Sequence, residues 1–75
     1  MEILAKVSSI DGGKYRVSAG GSVSSPISRL SNAVRLETDE DGKLKKILPQ
    51  VGNIVLCWFP GNALTDGIII GIEEE

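Results

Sequence analysis

Cys57 is the only thiol in the chain, and no histidine occurs among the 75 residues to serve as its base or to share a metal ion with it. A nucleophilic serine or cysteine needs such a base, and a zinc site needs further thiol or imidazole ligands. Cys57 lies inside the apolar run Ile54-Val55-Leu56-Cys57-Trp58-Phe59, where a thiol acts as a small hydrophobe, because reactivity requires an electropositive and accessible setting. Carboxylates gather at Glu37, Asp39, Glu40 and Asp41, a grouping that could hold calcium or supply an acid and a base for glycoside cleavage. The spacing does not run on to the closing carboxylate of a calcium loop, and Asp41-Gly42 reads as the tip of a hairpin. Gly12-Gly13 and Gly20-Gly21 are followed by neither the Lys-Ser/Thr pair nor the helix that a phosphate loop needs, so they read as turns. Lys14-Tyr15-Arg16 is the one place where an aromatic stands between cations. That pattern could stack and neutralise a single strand, and its competitor is a core tyrosine whose hydroxyl reaches the surface. No enzyme, cofactor or metal site is expected from this inventory.

The elements that carry these residues must come from a single domain spanning residues 1–75, since a chain of this length hides only roughly 60 to 65% of its unfolded surface. One Trp, one Tyr and one Phe are present, so aliphatic β-branched side chains must fill most of the core. A net charge of −2 and a pI near 5.0 offer no general attraction to phosphate backbones or anionic lipid. Nucleic acid is therefore the less expected partner. The first residues lack the basic start and apolar block of a signal peptide, and no apolar run approaches the ~20 residues that span a bilayer. With a lone cysteine, these features lead to the expectation of a soluble protein in a reducing cytoplasm.

Period-two alternation runs through almost every segment. Ile3, Ala5 and Val7 share one side of a first strand over residues 3–10. The turn Asp11-Gly12-Gly13 then leads into a second strand over 14–18, with Tyr15 and Val17 inward. Gly, Ser and Pro dominate 19–28, which reads as a loop. A strand over 33–38 points Val34 and Leu36 inward, and the Asp41-Gly42 turn returns it through 44–48, where Pro49 forbids a stable helix. The apolar strand 54–59 and a last strand 68–72 follow, with 73–75 as a frayed acidic tail. Five to six short strands with regular turns predict an all-β fold, a small OB-like antiparallel barrel. Gly52 and Gly61 are expected to take backbone angles other residues avoid, and Gly67 and Gly71 to serve as further structural turns. Strands 54–59 and 68–72 are apolar on both faces, yet a barrel has one interior. Val55, Cys57, Phe59 and Ile69 are the set expected to face outward and form an interface in a homo-oligomer.

The segment Pro49-Gln50-Val51-Gly52-Asn53-Ile54-Val55-Leu56-Cys57-Trp58-Phe59-Pro60-Gly61-Asn62, followed by Gly67-Ile68-Ile69-Ile70-Gly71, resembles the OB-fold domain of phage baseplate assembly protein V and the related spike proteins of contractile tails and type VI secretion. In that family a Pro-x-Val-Gly-Asp/Glu turn precedes an x-Val-Leu-Val-x-Phe strand, then Gly-Asp or Gly-Asn, then a Gly-x-Ile/Val-x-Gly strand. Asn53 stands where an acidic residue is usual. The family's spikes continue into a β-helix or needle, whereas this sequence ends at Glu75. The resemblance implies a non-catalytic collar or adaptor barrel of a phage or prophage tail. Such a barrel would be built in the host cytoplasm, carried in the particle, self-associated as a trimer and docked on tail hub or spike proteins. The reading from a different class is an oligonucleotide- or carbohydrate-binding barrel that uses Lys14, Tyr15 and Arg16.

Overall fold

The computed structural model describes residues 1–73, and every regular element among them is a β-strand. In chain order these are β1 (Glu2–Asp11), β2 (Lys14–Ala19), β3 (Ser22–Val23), β4 (Ser28–Arg29), β5 (Arg35–Thr38), β6 (Leu44–Ile47), β7 (Ile54–Trp58) and β8 (Ile68–Ile72). Six of them form one curled half-barrel sheet in the order β3-β2-β1-β7-β8-β4, and β5 pairs with β6 in a separate ribbon. The pairs are antiparallel except β4 with β8, which is parallel.

The long strand β1 serves both neighbours, β2 and β7, and changes direction at a bulge between Val7 and Ser9. A bulge bends a strand and sharpens its twist, which lets one sheet curl around a core. The turn at Gln50 to Asn53 locks onto this bend: the Gly52 N–H donates to Val7 O, and the Val7 N–H donates to Asn53 O, both at 2.9 Å. Gly52 has φ +95°, a left-handed angle that a residue with a Cβ resists. The Gln50 N–H donates to Asn53 Oδ1 at 2.8 Å. A side-chain oxygen is what this turn uses at position 53, and Asn supplies it as Asp would.

Residues 19–28 differ from the loop expected of them. Gly20 and Gly21, at φ +57° and +82°, turn the chain back so that β3 adds to the edge of β2. Ile27 and Tyr15 then exchange backbone hydrogen bonds at 2.8 and 2.9 Å, and β4 continues onto β8. This bridge brings the two ends of the curled sheet together. A Gly/Ser-rich composition hid the strand, because Ile27 is the only large side chain the segment commits to the core. The tail begins differently too: the Glu73 N–H donates to Ile54 O at 2.9 Å, so the pairing of β7 with β8 runs on past Ile72. The rest of the expected tail, Glu74 and Glu75, lies outside the described residues.

The core is Ala5, Val7, Tyr15, Val17, Ile27, Ala33, Val55, Cys57, Phe59 and Ile69. Burial of each large aliphatic or aromatic member is worth about 1.5–3 kcal/mol. Opposed residues of a registered pair share a face, and Ala5 opposes Val55 while Ile3 opposes Cys57. The Ile3-Ala5-Val7 face of β1 thus draws Val55, Cys57 and Phe59 inward.

The ribbon departs from expectation in the other direction. Val34 is only half-buried and Leu36 is 56% exposed, because β5 and β6 pair chiefly with each other in a ribbon separate from the main sheet. Buried Ala33 and Pro49 anchor the base of the ribbon. At its tip Asp39 Oδ1 accepts the N–H groups of Asp41 and Lys43 at 3.0 and 2.9 Å. The molecule measures 44 × 21 × 20 Å with a radius of gyration of 12.7 Å, against about 11 Å for a compact chain of this length. A projecting ribbon accounts for the excess.

Candidate interaction surface

Strand β1 alternates Glu2, Leu4 and Lys6 on the side away from the core, and each is exposed. Across the sheet Glu2 opposes Trp58, Leu4 opposes Leu56 and Lys6 opposes Ile54. One strand further, Trp58 opposes Ile68 and Leu56 opposes Gly71. The outward face of β1-β7-β8 is therefore an apolar sheet centred on Leu4, Leu56 and Trp58, with a carboxylate at one end and an ammonium at the other. Leu4 is 56% and Trp58 43% exposed, a large uncovered area for side chains of this kind. Gly71 adds a notch beside Leu56, since a Cβ built there would meet nothing within 4 Å.

The residues expected to form the interface are on the opposite side. Val55, Cys57, Phe59 and Ile69 are each 0% exposed and form the centre of the core. Both faces of β7 are apolar, so period two alone left two choices, and the register with β1 selected between them. The signal that could have found the true outward set was Glu2 and Lys6, two charges flanking Leu4 on the strand that pairs with β7. Burial pushes the Cys57 thiol up from its ordinary value near 9.0 to about 11, which leaves it protonated and a poor nucleophile at neutral pH.

The glycines fall into distinct classes. Gly52 is a left-handed turn residue as expected. Gly61 is not at positive φ and faces open space, and Gly71 lies within β8. Gly67 is needed for packing: a Cβ there would lie 2.3 Å from two ring carbons of Phe59 and 2.9 Å from Trp58 O. It lets the chain pass against Phe59 before entering β8.

A second apolar surface lies on the ribbon. Leu36 opposes Lys46 and Thr38 opposes Leu44 on one face, and Leu48 continues that face with period two. Leu36, Leu44 and Leu48 are 56, 73 and 49% exposed. The other face carries Arg35 and Glu37, which form an ion pair at 2.9 Å, together with Lys45 and Ile47.

The Lys14-Tyr15-Arg16 group is divided by the sheet. Tyr15 is buried at 4% exposure because it alternates with the two cations, so its ring packs in the core and offers no stacking platform. Lys14 and Arg16 face outward beside Ser9, Asp11 and Pro26, around an open pocket of about 230 Å³. Small-molecule sites occupy roughly 300–1,000 Å³. The Lys14 ammonium is already engaged with Ser28 Oγ, and Asp11 stands opposite Lys14 in the ladder, so the local charge is mixed. Among the described residues no helix is long and apolar enough to cross a membrane, and no three His, Cys, Asp or Glu side chains are grouped to hold a metal ion. No family model, curated protein or solved structure matches this chain.

Proposed function

We propose that this protein is a non-catalytic assembly module, an OB-type barrel that works by protein–protein docking as an adaptor in a phage or prophage tail baseplate. The observation that carries the reading is the outward sheet face centred on Leu4, Leu56 and Trp58. Tryptophan is among the residues most enriched in interface hot spots, and Trp58 stands exposed between Glu2 and Ile68 on this otherwise aliphatic face. The OB assignment is supported by the path β1-β2-β4-β8-β7, in which the Tyr15–Ile27 bridge joins β2 to the β4 segment and β4 runs parallel to β8. The baseplate assignment is supported by the likeness of residues 49–71 to the baseplate V signature, in which Gly52 sets the turn and Gly67 admits Phe59. The protein is made in the host cytoplasm and carried in the particle, where it contacts itself and tail hub or spike proteins.

The test is to express the tagged chain together with the tail genes that neighbour it and to purify the particles. The protein should co-purify with hub or spike components, and Trp58→Ser should lose them while remaining folded. A chain that is never found in particles, and that binds labelled single strands in a salt-dependent way through Lys14 and Arg16, overturns the proposal in favour of an oligonucleotide-binding barrel.

A further inference from the structure

Two apolar surfaces of this chain are left open, and each is flanked by an acid at one end and a lysine at the other. On β1 the outward order is Glu2, Leu4, Lys6. On the ribbon Lys46 stands opposite Leu36 and Leu44 opposite Thr38, and Glu40 follows Thr38 by two residues at the acidic tip, beside Asp41. Glu2 and Lys6 stand four residues apart, about 13 Å at ~3.3 Å per residue, and on the ribbon Lys46 and the acidic tip likewise lie on either side of Leu44. A two-stranded ribbon is marginal in water unless its apolar face is covered, and this ribbon buries no leucine within its own chain.

We propose that the β5–β6 ribbon of one copy lies across the outward β1-β7-β8 face of a second copy, head to tail. Leu36 and Leu44 then cover Leu4, Leu56 and Trp58. Lys46 pairs with Glu2 of the second copy, and the acidic tip meets its Lys6. Asp39 takes no part in that contact, because its carboxylate is held by the turn. The interface is heterologous: each copy presents one ribbon and one face, so assembly continues until a ring closes or a filament grows. This inference rests on the assembly reading and specifies which surfaces carry self-association.

The test is analytical ultracentrifugation of the full chain and two double variants, each altered only at exposed positions. One is Leu36→Ser/Leu44→Ser on the ribbon, the other Leu4→Ser/Trp58→Ser on the face. The parent should assemble beyond a dimer as concentration rises, and each variant alone should be monomeric with the parent's circular dichroism. Mixed in equal amounts, the two variants should form a one-to-one heterodimer and stop there, because each retains the surface the other has lost. Glu2→Lys should weaken parent assembly by about fivefold or more, and adding Lys46→Glu should restore it. A parent that stays monomeric, an assembly that survives the ribbon variant, variants that ignore each other, or a charge exchange that fails to rescue would each overturn the proposal. A monomeric parent that still co-purifies with hub or spike proteins would remove this inference and leave the assembly reading intact.

Discussion

The hydroxyl of Ser24 accepts the backbone N–H of Val17 at 3.0 Å, and the Ser24 N–H donates to Val17 O at 2.7 Å. Ser24 is the one buried polar residue of the described chain, and its Oγ in turn donates to Ser25 O at 2.8 Å. A side chain thus replaces a strand partner where β3 ends and the sheet curls toward Ile27. Ser24→Ala should leave the Val17 N–H buried without an acceptor and destabilise the fold by about 1–3 kcal/mol. Urea denaturation reads this directly, and a midpoint equal to the parent's would show the bond to be dispensable.

Gly67→Ala should be the costliest single-methyl change in the chain. The added carbon collides with the Phe59 ring and Trp58 O, and overpacking of this kind costs about 1–3 kcal/mol. Gly71→Ala, which meets open space, should leave the melting temperature close to the parent's. Equal losses from the two would mean that Phe59 can move aside.

Gly52 and Gly61 flank the same strand yet should respond differently to valine. The angle of +95° at Gly52 strains a β-branched residue by about 1–3 kcal/mol, and the turn it shapes holds Val7. Gly61 has neither a positive φ nor a close neighbour, so Gly61→Val should change stability little. Thermal denaturation of both variants, side by side, checks the contrast.

Stability should fall on the alkaline side through Cys57. Its folded pKa is raised to about 11 from 9.0 by desolvation, so the folded state holds the proton more tightly than the unfolded state. The contribution is fully present below pH about 9 and is lost as pH rises toward about 11, an effect on the order of 2 to 3 kcal/mol. Denaturation of the parent and Cys57→Ala across that window should show the parent losing more stability. A thiol reagent at neutral pH should label Cys57 only as fast as the protein opens. Rapid labelling of the folded protein would show the site to be accessible.

Local chemistry made the hairpins legible. Gly12-Gly13 between β1 and β2 and Gly42 between β5 and β6 supply the left-handed positions those turns use, and the alternation of Ile3, Ala5 and Val7 put them on one side of β1. The strand β3 and the Tyr15–Ile27 bridge were not legible, because residues 19–28 carry no alternating apolar pattern of their own and are held by backbone pairing to β2. The candidate surface was half legible. Two apolar faces on one strand declared that one had to be uncovered, but not which.

The sequence by itself determined an all-β chain, its principal turns, a lone thiol within an apolar strand, the shared side of Ile3, Ala5 and Val7 and the inward placement of Tyr15 and Val17. Only the tertiary structure decided that Val55, Cys57, Phe59 and Ile69 turn inward while Leu4, Leu56 and Trp58 face out, and that Leu36 and Leu44 stand clear of the core. Alternation states which residues share a side, and that is a property of a single strand. Which side meets the core depends on the register between strands distant in sequence, where Ala5 is set against Val55, and a shift of one residue would reverse every assignment.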